Sequence, residues 1–291
     1  MKNPCAGYHF SCAAPSMEVQ LEVEDYLEQY SNPFDAFYVL ETMDIGVTVL
    51  DPSSLNFLYV NSKAIKFLGF EKHEILGRSY LELIPERYLE TRRIARDALD
   101  AVGHYGWMDI NLITKDLSEV PVKFKGRYVT YKGRRVILSV LQWRTKRPLR
   151  IFQKSVDTFW KDIDAMIINE LDFEAEWLMD NLPIGVGVAT PDGAVRYVNK
   201  THAAMLGYIP CEMLDKPNLS FIHQESARDP KILGNFMRVL TYGMVDWHHV
   251  KANHKDGSPV CGYVKTTLEK FNGVNCVVGL FEYIDDPEHL C

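Results

Sequence analysis

Hydrophobic and polar residues follow two different periods along this chain. Between 107 and 112, Met108, Ile110 and Leu112 alternate with residues of the opposite face, which is the pattern of a strand with one buried side. From 152 to 171, apolar residues recur every three or four positions, which predicts one long amphipathic helix. The chain is therefore predicted to combine antiparallel strands with helices, as α+β proteins do.

One stretch of the pattern occurs twice. Residues 59–70 read YVNSKAIKFLGF and residues 197–208 read YVNKTHAAMLGY, and Asn61 and Asn199 stand at the same place in the two copies. Each copy predicts a strand, an Asn that caps the next helix and a Gly that ends that helix in the left-handed conformation. A repeat of this length indicates two copies of one structural unit.

The elements around each copy come in the same order. In the first unit, residues 37–40 and 45–50 form a β-rich run, and a strand at 57–60 and the Asn61 helix follow. A helix from about 89 to 102 and three antiparallel strands complete the unit. The second unit repeats this order, with its long helix at about 230–240. Each unit thus predicts a five-stranded sheet with helices.

Length and composition agree with a two-domain organisation. A chain of 291 residues with 47% hydrophobic content is long enough for two cores. The predicted divisions are a tail with an amphipathic helix at 1–34, a first domain at 35–147, a helical connector at 148–174 and a second domain at 175–291. The connector stripe fits packing against neighbouring domains or a two-stranded coiled coil, so a homodimer is expected.

Charge and cysteine usage exclude several classes of partner. The net charge is −7, whereas nucleic-acid binding needs concentrated Lys and Arg. No window of about 20 apolar residues or secretory signal is present, so no membrane association is expected. Six scattered cysteines without C-x-x-C indicate reduced thiols in a cytoplasmic protein. Cys5, His9 and Cys12 could supply part of a metal site, but a loose tail is the simpler interpretation.

The ordered set of elements resembles the PAS sensor-domain family. The resemblance lies in the strand-YVN-helix-LG-(F/Y) segment, the following Gly-terminated piece, the Trp-to-Lys-Asp turn and the closing strands, over about 35–145 and 175–285. It implies a five-stranded antiparallel sheet of order 2-1-5-4-3 with helices over one face and a small internal cavity. Family members generally sense rather than catalyse.

The resemblance also suggests candidate cofactor-binding residues. Flavin-binding relatives show a Trp on the third strand, an Asn six residues on and a KDG turn, which Trp247, Asn253 and residues 255–257 resemble. Trp107 matches less well, because Ile113 stands at the Asn position. FAD is therefore one alternative, and the cofactor remains unknown.

Haem is the weaker alternative, because neither predicted long helix contains the His that haem-binding relatives use. His248 shares the predicted cavity-facing side of its strand with Val250 and Ala252, so it is the ionisable residue most suspected of touching a ligand. A core histidine with satisfied hydrogen bonds is the competing interpretation. Asn199 is a further candidate, although helix capping already explains it.

No catalytic fingerprint is present, so the sequence indicates a sensor rather than an enzyme. Three functions stay open: an input module that binds a small ligand and relays the change through the connector and a dimer, a cofactor-free dimerisation scaffold, and an FAD-binding redox sensor. Eight residues follow Tyr283, so a downstream signalling protein or an output domain is the expected partner. Because His248 replaces Met108 of the first unit, we expect the second cavity to be the more polar.

Overall fold

The computed structural model describes residues 36–143, 173–271 and 274–284. The N-terminal segment with Cys5, His9 and Cys12 and most of the predicted connector lie outside these ranges. The described chain divides into two units. The first unit extends from Leu40 to Pro183, and the second contains residues from Ile184 onwards together with 36–39.

Helix α1, Ala36–Thr42, is the first described element, and the first unit begins at its residue Leu40. The remaining elements are β1 Gly46–Leu50, β2 Phe57–Val60, α2 Ser62–Leu68, α3 Lys72–Ile75, two 3-10 turns at Tyr80–Leu83 and Glu86–Tyr88, α4 Leu89–Val102, β3 His104–Ile113, β4 Glu119–Tyr131, β5 Arg134–Trp143 and α5 Ala175–Asp180.

The second unit repeats this order. Its elements are β6 Gly185–Ala189, β7 Val195–Val198, α6 Lys200–Met205, α7 Pro210–Met213, a 3-10 turn at Asn218–Phe221, α8 Gln224–Arg228, α9 Pro230–Tyr242, β8 Met244–Asn253, β9 Pro259–Phe271 and β10 Val274–Tyr283.

Both sheets have the predicted topology. The strand orders are β2-β1-β5-β4-β3 and β7-β6-β10-β9-β8, and every neighbouring pair is antiparallel. The registers correspond, since Thr48 pairs with Ser139 in the first sheet and Gly187 with Gly279 in the second. The α+β fold with two five-stranded antiparallel sheets is therefore confirmed, and positions can be matched between units by register rather than by sequence step.

Each long helix ends at a glycine in the left-handed conformation, and its apolar face sets how it packs. In α4, Ala95 and Leu99 are buried one turn apart, and the helix ends at Gly103 with φ +82°. Helix α9 ends in the same way at Gly243 with φ +81°, a conformation that glycine adopts without strain. These two helices lie against the third strand of their sheets and roof a space above the inner face.

Two local expectations were wrong. Residues 37–40 belong to helix α1 instead of a β-rich run, because Ala36, Val39, Leu40 and Met43 are buried at helical spacing. Among cysteines in the described ranges, Cys276 is a free thiol, but Cys211 and Cys261 are disulfide-bonded rather than reduced. Sequence spacing does not show which thiols folding brings together.

Helix α5 and the residue that follows it contact strand β4 of the first unit. The Arg127 Nε donates to the carbonyl of Asn181 at 2.9 Å, and the Trp177 ring lies 4.6 Å from that of Tyr131. The sequence assigns residues from 175 onwards to the second domain, and the predicted domain boundaries stay a prediction.

Candidate functional site

Each unit has a cavity between the inner face of its sheet and its helices. The first measures about 340 Å³ and the second about 470 Å³. Both volumes lie in the range of small-molecule sites, roughly 300–1,000 Å³. The walls are mostly apolar, as such sites usually are, with a few polar side chains among them. These polar groups differ between the two cavities.

Hydroxyl groups line the inner face of the first sheet. Thr48 and Ser139 are buried side by side on β1 and β5, and the Tyr105 hydroxyl lies 3.1 Å from Ser139 Oγ. Burial raises the pKa of Tyr105 well above its usual value, so this phenol stays protonated. The inner face therefore offers neutral hydroxyls within an apolar wall.

Arginines from α4 border the other side of the first cavity. Arg92, Arg93 and Arg96 all line it, together with the half-buried Tyr80. Burial raises the pKa of Tyr80, and the adjacent Arg92 guanidinium partly opposes this rise. The cavity thus combines an apolar interior with a cationic edge.

A buried histidine dominates the polar part of the second cavity. The His202 ring stacks on Phe281 with centroids 4.1 Å apart, and its Nδ1 is 3.5 Å from the Tyr283 hydroxyl. Desolvation lowers the pKa of His202 to about 3, so the imidazole is neutral at physiological pH. A neutral imidazole with aromatic neighbours can stack against a planar ligand and exchange one hydrogen bond with it.

His248 lines the same cavity, as its strand alternation predicts. Val250 and Ala252, which share its face of β8, are lining residues too. The His248 Nδ1 lies 3.0 Å from the carbonyl oxygen of Asp246, and because a carbonyl only accepts, this nitrogen donates. The backbone therefore fixes the orientation of the ring at the cavity wall.

The two predicted tryptophans occupy matching positions outside the cavity walls. Trp107 and Trp247 are half-buried on β3 and β8, and neither is among the described residues that line a cavity. The Trp247 Nε1 is buried and has no hydrogen-bond partner among the described residues. The structure thus separates Trp247 from His248 although the two are adjacent in sequence.

The predicted asparagines have structural roles. Asn199 Oδ1 accepts from the backbone N–H groups of Val186 at 2.9 Å and His202 at 3.0 Å, while Nδ2 donates to Ile184 at 3.1 Å. The Asn253 Nδ2 donates to the carbonyl of Ile222 at 3.1 Å. Neither side chain is among the described lining residues, and Asn199 caps α6 as its sequence context predicts.

Sequence reasoning missed three polar features of the cavities: Arg92, His202 and the Tyr105–Ser139 pair. A signal for His202 was available, because the repeated segment carries Ala64 at the corresponding place. For Arg92, the apolar face of α4 gave the signal, since Arg92 precedes Ala95 and Leu99 by three and seven positions.

Within the described residues, no group of three or more His, Cys, Asp or Glu side chains is arranged to hold a metal ion. None of the helices in those ranges has the length and apolar character needed to cross a membrane.

Comparisons with known proteins agree with the fold. A family model described as PAS fold matches residues 38–145, and one described as PAS domain matches residues 175–240. The methyl sulfide methyltransferase-associated sensor of Methanosarcina acetivorans is 24% identical over 127 residues, which are 44% of this chain. The match spans only 12% of the length of that curated relative.

Solved PAS domains are also similar to parts of the chain. That of an HTR-like protein from Haloarcula marismortui is 19% identical and covers 42% of this chain and 98% of its own, with a TM-score of 0.34. That of a two-component sensor histidine kinase is 13% identical and covers 43% and 99%, with a TM-score of 0.33. The two family matches together span more than half of the sequence, and the chain belongs to the PAS family as a tandem PAS sensor protein.

Proposed function

We propose that this chain is a sensory input module that binds small molecules in one or both PAS cavities. The observation that carries the proposal is the pair of cavities, each walled by apolar side chains and holding a few oriented polar groups. Membership of a sensor family and the similarity to a protein named as a sensor support the same conclusion. A ligand that fills an apolar cavity of this size removes the cavity walls from water, and this burial favours binding.

The relay part of the proposal concerns the segment between the two domains. A continuous helix over 152–171 would transmit a displacement that a flexible linker would absorb. Its apolar stripe suits a homodimer, which would pass the change to a downstream signalling protein or output domain. Ile163→Asp should then yield monomers by light scattering, whereas an unchanged dimer would remove the dimer from the proposal.

The ligand-binding part is testable with an uncharged apolar fluorophore, N-phenyl-1-naphthylamine, titrated into the full chain. Ala95→Phe places a ring in the first cavity, and Ala252→Phe does so in the second. Ala101→Phe and Ala204→Phe are matched controls at exposed positions of α4 and α6.

We expect each filled variant to bind one equivalent of the fluorophore less than the wild type, while both controls bind as the wild type does. Circular dichroism checks that the variants remain folded. No binding to the wild type, or equal stoichiometry in all variants, would overturn the proposal. An absorption spectrum of the purified chain tests the flavin alternative, which predicts the two-band flavin spectrum.

A further inference from the structure

The three arginines on the cavity side of α4 differ in how their charges are balanced. Arg93 contacts Glu90 at 2.7 Å and Asp97 at 2.9 Å, and Arg96 contacts Asp100 at 3.0 Å. All these side chains are exposed, so the pairs lie on the helix surface. Their charges are matched within the helix and need no further partner.

Arg92 has no such ion pair with a carboxylate among the described residues. It is half-buried, its Nε atom is shielded from solvent, and that atom has no hydrogen-bond partner among the described residues. No carboxylate in the described ranges forms an ion pair with it. A guanidinium donor buried without an acceptor lowers stability by the cost of removing it from water. The group that best compensates a guanidinium is a carboxylate, because the two planar groups can form paired hydrogen bonds.

The first cavity becomes less polar from its edge to its interior. Leu89, Arg93 and Arg96 are exposed lining residues and mark its opening, and Arg92 and Tyr80 are half-buried. The remaining wall contains buried apolar side chains, among them Leu68, Leu83, Leu112, Phe124 and Ile137. A ligand that matches this gradient has one anionic end and an apolar body.

The second cavity does not share the cationic edge at this place. Ile232 of α9 lines it 140 positions after Arg92, the same step that separates the helix-ending Gly103 from Gly243. The exchange of Arg for Ile keeps the helix and removes the charge. A guanidinium without a carboxylate partner among the described residues is therefore a feature by which the first cavity differs from the second.

We propose that the first cavity binds a monocarboxylate with an aliphatic body, whose carboxylate pairs with Arg92 and whose chain fills the apolar interior. This inference rests on the proposed function, because it names the ligand class for one of its two cavities. The Tyr80 hydroxyl, adjacent to Arg92, is placed to donate to the same carboxylate.

The test is displacement of N-phenyl-1-naphthylamine from the full chain with Ala252→Phe, which leaves the first cavity available. The competitors are octanoate, 1-octanol and octylammonium, which share one chain length and differ in charge. Since a charge-assisted hydrogen bond contributes about 1.5–3 kcal/mol, octanoate should bind at least about tenfold more tightly than 1-octanol.

Two variants assign this preference to one residue. Arg92→Met should weaken octanoate by about tenfold or more and leave 1-octanol nearly unchanged, because it removes the charge but keeps the apolar stem. Arg87→Met removes an exposed arginine that pairs with Glu119 and does not line the cavity, so it should alter neither ligand. If Arg92→Met fails to fold, Arg92→Lys retains the charge, loses the paired geometry and should weaken octanoate by a smaller factor.

The outcomes separate this inference from the proposed function. Equal affinity for octanoate and 1-octanol, or octanoate binding that is unaffected at Arg92, overturns the carboxylate assignment while the cavity remains a ligand site. Octylammonium binding as tightly as octanoate overturns it too. If no fluorophore binding depends on Ala95, the first cavity is not a ligand site and the carboxylate assignment is overturned. If binding depends on neither Ala95 nor Ala252, the proposed function itself is overturned.

Discussion

The inner faces of the two sheets differ where the first and fifth strands of each unit pair. In the first unit, Thr48 and Ser139 face each other, and in the second, Gly187 and Gly279 do. The first sheet therefore presents two hydroxyls, whereas the second presents bare backbone. The same frame leaves different amounts of space above its centre.

Larger rings fill the space that the glycines leave. A Cβ atom at Gly279 would lie 2.7 Å from the Phe281 ring, and one at Gly185 would lie 2.8 Å from His202 Nδ1. The first unit has Ala64 where the second has His202. Small residues on the strands thus permit a stacked His–Phe pair in the second unit.

On the fourth strand of each unit the small residue lies in the first unit instead of the second. In the first unit, a Cβ atom at Gly126 would lie 2.6 Å from both the Tyr105 hydroxyl and Ser139 Oγ. In the second unit, Thr266 and Val245 occupy the corresponding paired positions. Volume has moved between facing residues while the close packing of the interior is kept. The comparison teaches that one fold can carry two chemically different cavities through such paired exchanges.

The largest expected effect concerns what the units share. Asn61 Oδ1 accepts from Val47 at 2.9 Å and Ala64 at 3.2 Å, as Asn199 Oδ1 does from the equivalent groups. Asn61→Ala and Asn199→Ala should each lower the free energy of unfolding by about 3 kcal/mol, because several buried partners lose their bonds. Hydrogen exchange on peptides of each unit measures this. A large loss of unfolding free energy in only one unit would show that the two asparagines do not have equivalent roles.

The next effect concerns what they do not share. Gly279→Ser places the residue of the first unit into the second, and the new Cβ must displace Phe281 from its contact with His202. Overpacking of this kind should cost about 2 kcal/mol. Gly234→Ala is the control, because nothing lies within 4 Å of a Cβ there, and it should be neutral or slightly stabilising. Denaturant midpoints compare the two, and equal midpoints would contradict the exchange argument.

The effect of pH on stability should differ between the two units, by an amount similar to or smaller than the effect of Gly279→Ser. The pKa of His202 is about 3 when folded and near 6.5 when unfolded. Below pH 6.5 the unfolded chain binds the extra proton, so stability is complete above that value and is lost as the pH falls. At pH 5 the loss should be about 2 kcal/mol. His202→Leu should remove this part of the pH dependence. Exchange rates in the second unit, measured between pH 7.5 and 5, test it.

The smallest effect concerns a surface ion pair that both units have. Lys115 lies 2.7 Å from Glu74, and Lys255 lies 2.6 Å from Glu212, each joining a hairpin turn to a short helix. Lys115→Met and Lys255→Met should shift the denaturation midpoint less than the changes above, and high salt should abolish the shift. A salt-resistant loss in one unit alone would reveal a difference the structure does not show.

The elements that local chemistry governs were predictable from sequence. The capping Asn61 and Asn199, the predicted helix at 89–102 and the strand alternation around His248 all depend on residues a few positions apart. Helix α1 was the local failure, because its aromatic and β-branched residues favour a strand in isolation. Its buried face, set by tertiary packing, decided in favour of the helix.

The sequence by itself determined that this protein is a tandem repeat of one α+β unit, and resemblance identified that unit as PAS. Only the tertiary structure decided which polar side chains line each cavity. His202 and Phe281 are 79 positions apart, and Tyr105 and Ser139 are 34 apart, so no local pattern joins them. Met108 and His248 suggested that the second cavity is the more polar of the two. The structure shows which polar groups each cavity has, because side chains from distant strands and helices meet only after folding.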